Sequence, residues 1–251
     1  MGELDGKVAL VTGAGQGVGQ GIALALASEG ARIAAVGRTV SKLEDTCAQI
    51  RDRGSEALAV GCDVKSATEL VATVEQVVAE FGTIDILVNN AQEVPLGNLL
   101  DVTDASLAAG WESGPLATFR LMKLCYPYLK GGGSIVNLAS TAAKRWDLTF
   151  YGAYAAVKEA TRSLTRAAAS EWGPEGIRAN VILPHAKSPG LLWWMENNPE
   201  EAAEFQETIP ARRVGECEED IGAFVVLLCS KGSRYVSGQS IAVDGGQAYM
   251  S

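Results

Sequence analysis

The sequence predicts a single α/β domain, residues 1–251, built on a doubly wound parallel sheet of seven strands with helices on both faces. Short apolar runs alternate along the chain with longer segments whose apolar residues recur at helical spacing. Such alternation indicates βαβ units, in which right-handed crossovers join parallel strands. No repeat, low-complexity tract or linker divides the 251 residues, a length that one domain can reach.

Seven short apolar runs are the predicted strands, because near-continuous hydrophobicity is typical of a sheet covered on both faces. They span 7–12, 32–36, 57–60, 84–89, 134–139, 178–183 and 239–243. The predicted helices, which carry apolar residues three and four apart, span 22–28, 43–53, 70–81, 116–129, 155–172 and 221–229. Two stretches, 93–114 and 184–213, break the alternation. Because both follow predicted strands, we expect them to wall the ligand crevice, with 184–213 as a substrate loop.

Charge and cysteine content exclude several classes of function. Lysine and arginine total 21 against 30 acidic residues, a net charge of −9, and the scattered basic residues argue against nucleic-acid binding. Five widely separated cysteines suggest neither a disulfide framework nor a zinc site. The single histidine, His185, excludes a multi-histidine metal centre. We therefore expect a cytoplasmic protein without a metal, and no signal peptide or membrane span is recognisable.

A glycine-rich turn joins the first predicted strand to the first helix. Residues 12–19 read Thr-Gly-Ala-Gly-Gln-Gly-Val-Gly. Glycines allow a tight turn and close approach of the backbone to a pyrophosphate, whose charge the helix N-terminus stabilises. A P-loop would end in Gly-Lys-Ser/Thr, which is missing here, so the turn favours a dinucleotide.

The second predicted strand ends in Gly37-Arg38-Thr39. A carboxylate at this position would bind the 2′-hydroxyl of the adenosine ribose, whereas an arginine can pair with a 2′-phosphate. The turn carries no acidic residue, so the sequence favours NADP, with NAD as the alternative. The alternative to pairing with a phosphate is that the Arg38 side chain points into solvent.

Two Tyr-x-x-x-Lys patterns occur in the chain. Tyr126/Lys130 runs into three glycines where a helix must end, whereas Tyr154/Lys158 opens a long helical segment. The i, i+4 spacing puts Tyr154 and Lys158 on one helix face, where an ammonium group would lower the pKa of the phenol. Tyr154 is therefore the candidate acid/base.

Taken in order, these motifs resemble the short-chain dehydrogenase/reductase family, over nearly the whole chain. The matching residues are the turn 12–19, Asp63-Val64, Asn89-Asn90-Ala91, Ser140, the Tyr154/Lys158 pair, and 235–246, Tyr-Val-Ser-Gly-Gln-Ser-Ile-Ala-Val-Asp-Gly-Gly. The resemblance implies a Rossmann-type fold, a small-molecule substrate, and hydride transfer between a nicotinamide cofactor and a carbinol carbon. It also implies a homotetramer or homodimer.

The resemblance further implies the roles of individual residues. Ser140 would hold the substrate oxygen, Tyr154 would exchange a proton with it, and Lys158 would bind the nicotinamide ribose and lower the pKa of the phenol. Cofactor contacts would come from Tyr154, Lys158 and the following residues: Gly13, Gln16, Gly17, Val18, Gly19, Arg38, Thr39, Asp63, Val64, Asn90, Ala91, Pro184 and Ser188. Asp63 would contact the adenine.

Several positions depart from the family pattern. Gln92 stands where relatives have glycine, and we expect its side chain to project toward the cleft. Gly114 stands where many members carry an asparagine of a proton relay, with Ser113 beside it. The usual glycine after Pro184 is replaced by His185, and Pro189 aligns near a common threonine. Because Ser140 lies one residue farther from Tyr154 than usual, Thr141 is an alternative for its role.

Aromatic and apolar residues flank the catalytic positions. The expected substrate contacts are Gln92, Trp146, Tyr151, His185, Trp193 and Trp194. They favour an alicyclic, aromatic or steroid-like secondary alcohol or ketone. Alternatives are that 191–195 is a helix packed on the core or on a partner subunit, and that His185 is an ordinary loop residue. For the whole chain, the alternatives are a non-catalytic nucleotide-binding scaffold or sensor, and elimination or epimerisation.

Overall fold

Seven parallel strands form one sheet in a computed structural model that describes residues 2–144 and 150–248. The strands are β1 (Val8–Thr12), β2 (Arg32–Gly37), β3 (Ala57–Gly61), β4 (Ile86–Asn89), β5 (Ser134–Leu138), β6 (Arg178–Pro184) and β7 (Ser240–Val243). Their spatial order is β3-β2-β1-β4-β5-β6-β7, and every pairing is parallel. All seven predicted strands are present, with ends shifted by at most two residues.

Nine α-helices lie within the described residues. They are α1 (Gly17–Ser28), α2 (Val40–Asp52), α3 (Ala67–Phe81), α4 (Asp104–Trp111), α5 (Ala117–Leu129), α6 (Gly152–Trp172), α7 (Pro189–Asn197), α8 (Pro199–Thr208) and α9 (Ala223–Cys229). Single π-helical turns, Glu112–Leu116 and Cys217–Gly222, precede α5 and α9. Among the described residues, no helix is both long and apolar enough to cross a membrane.

Both faces of the central strands are buried, as the apolar runs predict, whereas the edge strands β3 and β7 are partly exposed. In β1, Ala9 and Val11 belong to one hydrophobic cluster, whereas Val8 and Leu10 belong to another on the opposite face. Alternate residues of a strand point to opposite faces, so a strand with helices on both sides needs apolar residues at every position. The predicted fold class is thereby confirmed: a parallel sheet with helices on both faces.

The strand order reverses next to β1, which pairs with β2 on one side and with β4 on the other. Crossovers leave in opposite directions from this point and open a crevice at the carboxyl ends of the strands. The residues that follow β1, β2, β3, β4, β5 and β6 therefore meet at one edge of the sheet.

The two stretches without clear periodicity contain three helices, of which the sequence predicts only one, at 191–195, and that one as an alternative. Residues 93–114 include α4, and 184–213 include α7 and α8. In α4 only Gly110 is buried, and α7 has no buried residue, so neither helix carries the apolar stripe on which a periodicity argument depends. Caps mark their starts nonetheless: the Thr103 hydroxyl accepts from Ser106 N and the Ser188 hydroxyl from Leu191 N.

Candidate active site

The glycine turn between β1 and α1 is packed too closely for side chains. Gly13 and Gly17 have φ of +67° and +58°, in the left-handed region that favours glycine. A Cβ on Gly19 would lie 2.3 Å from Gly13 O. No side chain caps the start of α1 and no acidic residue lies in its first turn, so its positive end faces no carboxylate of its own. These features fit the pyrophosphate of a dinucleotide.

Thr12 fixes the geometry of the neighbouring strand end. Its hydroxyl donates to Val88 O (3.3 Å) and accepts from Asn90 N (2.9 Å) and Ala91 N (3.0 Å). The Asn90 amide in turn donates to Thr12 O at 2.9 Å. The carboxamide of Asn90 is therefore engaged in holding the glycine turn against the end of β4, and Ala91 remains with its backbone at the crevice.

At the end of β2, the Arg38 side chain is 65% exposed and forms an ion pair with Glu93, with Nη1 3.0 Å from Glu93 Oε1. Thr39 precedes α2 without a side-chain capping bond. Past β3, the Asp63 carboxylate accepts from Lys65 N at 3.0 Å, and Val64 is buried. Sequence reasoning missed both Glu93 and Lys65, which carry charges at the same edge of the sheet.

Ser140, two residues beyond β5, begins a short 3-10 turn, Thr141–Ala143, and its Oγ accepts from Ala142 N at 3.2 Å. The same hydroxyl is hydrogen-bonded to the Tyr154 phenol. Burial is the largest influence on the pKa of Tyr154 and raises it, while the bond with Ser140 acts in the opposite direction. Thr141, the alternative to Ser140, is buried and its hydroxyl lies 3.5 Å from Gln247 Oε1.

Lys158 lies one helical turn beyond Tyr154 on α6, with Nζ 5.4 Å from the Tyr154 ring centroid. The ammonium donates to Leu138 O, the last residue of β5, at 2.7 Å. Burial lowers the pKa of Lys158 to about 7. The sequence led us to expect a lysine charge that lowers the pKa of the phenol, but burial of both groups dominates and the described residues produce a raised Tyr154 pKa.

The Gln92 side chain, which we expect to project toward the cleft, is held at its carboxamide by backbone carbonyl groups. Its Nε2 donates to Glu93 O and Gly110 O, each at 2.7 Å. A Cβ on Gly114 would lie 2.2 Å from Gln92 Oε1. Gln92 therefore occupies the space that a side chain on Gly114 would need, and the Oε1 atom is buried without a hydrogen-bond partner among the described residues.

The residues after β6 form the far side of the crevice. Ser188 begins α7, and Pro189 Cδ would lie 2.9 Å from a Cβ on Gly17, so α7 starts against the glycine turn. His185 follows Pro184, donates its N–H to Val243 O (3.0 Å), and meets the Phe205 ring edge-on at 5.4 Å.

The predicted aromatic substrate contacts differ in their surroundings. The Tyr151 ring lies 5.8 Å from that of Tyr154. Trp194 packs edge-on against Phe205, at 5.8 Å between centroids, so Phe205 joins it to His185. Trp193 points to solvent, with 64% of its surface exposed. Trp146 lies outside the described residues.

Known proteins resemble this chain over nearly all of its length. Residues 13–248 match the family model described as "Enoyl-(Acyl carrier protein) reductase". The 12alpha-hydroxysteroid dehydrogenase of Clostridium sp. (strain ATCC 29733 / VPI C48-50) is 40% identical over 255 residues, which cover 98% of each chain.

Solved structures with the same fold include two oxidoreductase complexes. A 7 alpha-hydroxysteroid dehydrogenase complexed with NADH and 7-oxo glycochenodeoxycholic acid has a TM-score of 0.91 at 33% identity, over 97% of this chain and 94% of that one. L-Sorbose reductase from Gluconobacter frateurii, complexed with NADPH and L-sorbose, has a TM-score of 0.90 at 32% identity, over 98% of each chain.

The chain is a short-chain dehydrogenase/reductase. It is accordingly an oxidoreductase of the alcohol dehydrogenase and ketone reductase type. Ser140, Tyr154 and Lys158, which the sequence resemblance assigns to the catalytic positions of this family, lie together at the end of β5 and the start of α6.

Proposed function

We propose that this short-chain dehydrogenase/reductase uses NADP(H) to interconvert a secondary alcohol and a ketone of apolar, cyclic or steroid-like character. The observation that carries the proposal is the contact between Ser140 and the Tyr154 phenol beside the buried Lys158 ammonium. A hydroxyl pair at the end of β5 can hold one substrate oxygen, and one of the two hydroxyls can exchange a proton with it.

Each of the three residues has its own task in this reaction. The bound nicotinamide supplies the hydride in reduction and accepts it in oxidation. Tyr154 donates the phenol proton to the substrate oxygen as the carbonyl becomes an alcohol, and in the reverse direction the phenolate removes that proton. Ser140 donates a second hydrogen bond to the same oxygen. Lys158 is the donor to a cofactor ribose hydroxyl, because an ammonium group has three N–H donors and Leu138 O takes one.

The pKa of Tyr154 favours one direction at neutral pH. Because burial raises that pKa above its ordinary value, the phenol stays protonated at pH 7 and is ready to donate. Reduction therefore needs no prior change in protonation, whereas oxidation needs the phenolate. We expect ketone reduction to be the faster direction at neutral pH.

NADP is preferred over NAD in this proposal because the end of β2 carries Arg38, and Lys65 adds a second positive charge nearby. A phosphate on the adenosine ribose carries about two negative charges at pH 7, which two cations can neutralise. The remaining cofactor contacts expected from the sequence lie along the same edge of the sheet, from the glycine turn to Ser188.

The substrate class is supported by the aromatic lining and by the relatives. Tyr151 lies beside Tyr154, and Phe205 packs with both Trp194 and His185. The relatives include enzymes named for 12alpha- and 7alpha-hydroxysteroids as well as one named for D-threitol, so a polyol is the second candidate. Aromatic faces favour the larger apolar ring system. In the proposal, residues 184–213 enclose that substrate.

The experiment compares Tyr154→Phe with Tyr126→Phe, which carries the same change in the other Tyr-x-x-x-Lys pattern. Loss of NADPH absorbance is followed with a panel of steroid ketones, simple cyclic ketones and L-sorbose. We expect Tyr154→Phe to lose at least about 10²-fold in turnover, since a positioned acid is worth that much. Its affinity for NADPH, measured by fluorescence titration, should stay nearly unchanged.

The Tyr126→Phe control should reduce the same ketone at the wild-type rate, because the Tyr126 hydroxyl bonds Glu175 near the amino end of β5, at the opposite end of the strand from Ser140. Full activity in Tyr154→Phe would overturn the proposed mechanism. A wild-type protein that binds NADPH but reduces none of the ketones would favour the nucleotide-binding scaffold.

A further inference from the structure

Three charged side chains meet where β2, β3 and β4 end. The Glu93 carboxylate lies 3.0 Å from Arg38 Nη1 and 2.9 Å from Lys65 Nζ. Both cations reach the same oxygen, Oε1. We call Arg38, Lys65 and Glu93 the charge cluster. It lies on the adenosine side of the crevice, because Arg38 follows β2 and Lys65 follows Asp63 after β3.

The backbone holds Glu93 in this position. Its N–H donates to Ser113 Oγ at 2.9 Å, and its carbonyl accepts from Gln92 Nε2 at 2.7 Å. Lys65 is fixed in the same way, since its N–H donates to Asp63 Oδ1 (3.0 Å) and its carbonyl accepts from Arg120 (3.1 Å). Hydrogen bonds therefore fix the backbone of Glu93 and of Lys65, and this holds the Glu93 carboxylate within reach of the cations.

We propose that Glu93 is a resident anion that competes with the 2′-phosphate of NADP(H) for Arg38 and Lys65, and so limits the preference for NADP over NAD. This inference rests on the proposed function, in which Arg38 and Lys65 receive that phosphate. Carboxylates and phosphates use the same hydrogen-bond donors of arginine, and two anions on one pair of cations repel each other.

The two cofactors make different demands on the charge cluster. A 2′-phosphate gains both cations only when the Glu93 side chain rotates away from them. A ribose that ends in a neutral 2′-hydroxyl requires no such displacement. The charge of Glu93 therefore weakens the binding of the phosphorylated nucleotide alone. Removing that charge should strengthen the binding of this nucleotide selectively.

The test measures binding of adenosine fragments by isothermal titration calorimetry, without turnover. 2′,5′-ADP carries the ribose phosphate, and 5′-ADP lacks it. We expect Glu93→Gln to bind 2′,5′-ADP about tenfold more tightly than the wild type at low ionic strength, as expected for removing one like charge near a phosphate. Its affinity for 5′-ADP should change by less than about twofold. Lys65→Met should weaken 2′,5′-ADP alone.

Glu44→Gln is the matched control, because it removes the same charge from an exposed ion pair with Arg51, 3.7 Å apart on α2. The control should leave both affinities unchanged. Equal affinities of wild type and Glu93→Gln for 2′,5′-ADP would overturn the inference, and so would an equal gain for both fragments. The proposed preference for NADP is refuted by a separate result, namely tighter binding of 5′-ADP than of 2′,5′-ADP by the wild type.

Discussion

The buried positive charge of Lys158 makes the stability of the folded protein depend on pH. Lys158 is 4% exposed, and its ammonium group donates to Leu138 O. Burial lowers its pKa from the ordinary 10.5 to about 7, so the folded protein resists charging this group while the unfolded chain does not. Below pH 7 both states are protonated and the full cost of burying the charge is present. Between pH 7 and 10.5 the folded state holds fewer protons, so the cost declines as pH rises.

Lys158→Met should therefore be more stable than the wild type at pH 6, by an amount on the order of 2–5 kcal/mol. The advantage should shrink at pH 8 and again at pH 9. Urea unfolding at fixed protein concentration, followed by tryptophan fluorescence, measures the difference at each pH. Lys231→Met, at an exposed lysine, is the control and should follow the wild type throughout. Curves for Lys158→Met and wild type that stay parallel from pH 6 to pH 9 would contradict this account.

Single residues were predictable from the sequence where a backbone motif positions them. Ser140, Tyr154 and Lys158 come together because β5 ends beside α6, and both the strand and the helix were predicted. The direction of the Tyr154 pKa was not predictable, because it depends on how much of the phenol the surrounding chain buries. Glu93 was missed because its partners Arg38 and Lys65 are 55 and 28 residues away along the chain.

The π-helical turn between α4 and α5 depends on a glycine. The Gly110 carbonyl, near the end of α4, accepts the Gln92 amide, and Gly114 leaves room for the rest of that side chain. A π-turn frees backbone groups from the regular helical ladder, so an outside donor satisfies one of them. This turn faces α6, the helix that carries Tyr154 and Lys158.

Gly114→Ala should destabilise the protein by about 1–3 kcal/mol, because the new methyl group displaces Gln92 from its two hydrogen bonds. Adding Gln92→Ala to that variant should recover part of the lost stability, because the carboxamide with which the new methyl group clashes is then removed. The coupling between the two changes is measured in a double-mutant cycle by denaturant unfolding.

Gly190→Ala in α7 is the control for this cycle, since a Cβ there meets no atom within 4 Å. It should be neutral or slightly stabilising, as expected for alanine in a helix. Strictly additive effects of Gly114→Ala and Gln92→Ala would mean that the two residues do not share one space.

Elements with an apolar stripe were predictable, and those without one were not. The strands and six of the helices follow from buried positions at regular spacing. In α4, α7 and α8, few or no residues are buried. The caps Thr103 and Ser188 mark the starts of α4 and α7, and Pro199 marks the start of α8. The interlocked Gln92 and Gly114 were recognised as departures from a family pattern, but sequence spacing could not show that one side chain fills the place of the other.

The whole molecule exposes a set of apolar side chains on the face formed by α4, α5 and the start of α6. Trp111 is 49% exposed, and it lines a groove with Leu107, Ala108, Leu116, Ala156 and Val157, which Asp104 and Glu112 also line. Exposed apolar surface of this kind marks an interaction site. With the oligomers that the family resemblance implies, it leads us to expect that a second copy of the chain covers this face.

Trp111→Glu should shift the protein toward smaller assemblies, because a carboxylate placed in an apolar contact would be buried without a partner. Light scattering coupled to size-exclusion chromatography measures the mass. Val71→Glu, at an exposed valine of α3, is the control and should leave the mass unchanged. A wild-type protein that runs as a monomer at micromolar concentration would contradict the expectation.

The end of β5 contacts two of the groups that are proposed to act in the reaction. Leu138 O receives the Lys158 ammonium, and Ser140, two residues later, contacts the Tyr154 phenol. β5 lies inside the sheet, between β4 and β6, so it is held by ladders on both edges. A thermal motion that shifts β5 moves Leu138 and Ser140 in the same direction. In the proposed mechanism we therefore expect changes in the exposed helices α7 and α8 to alter the substrate walls more than the spacing between the proton donor and the ammonium group.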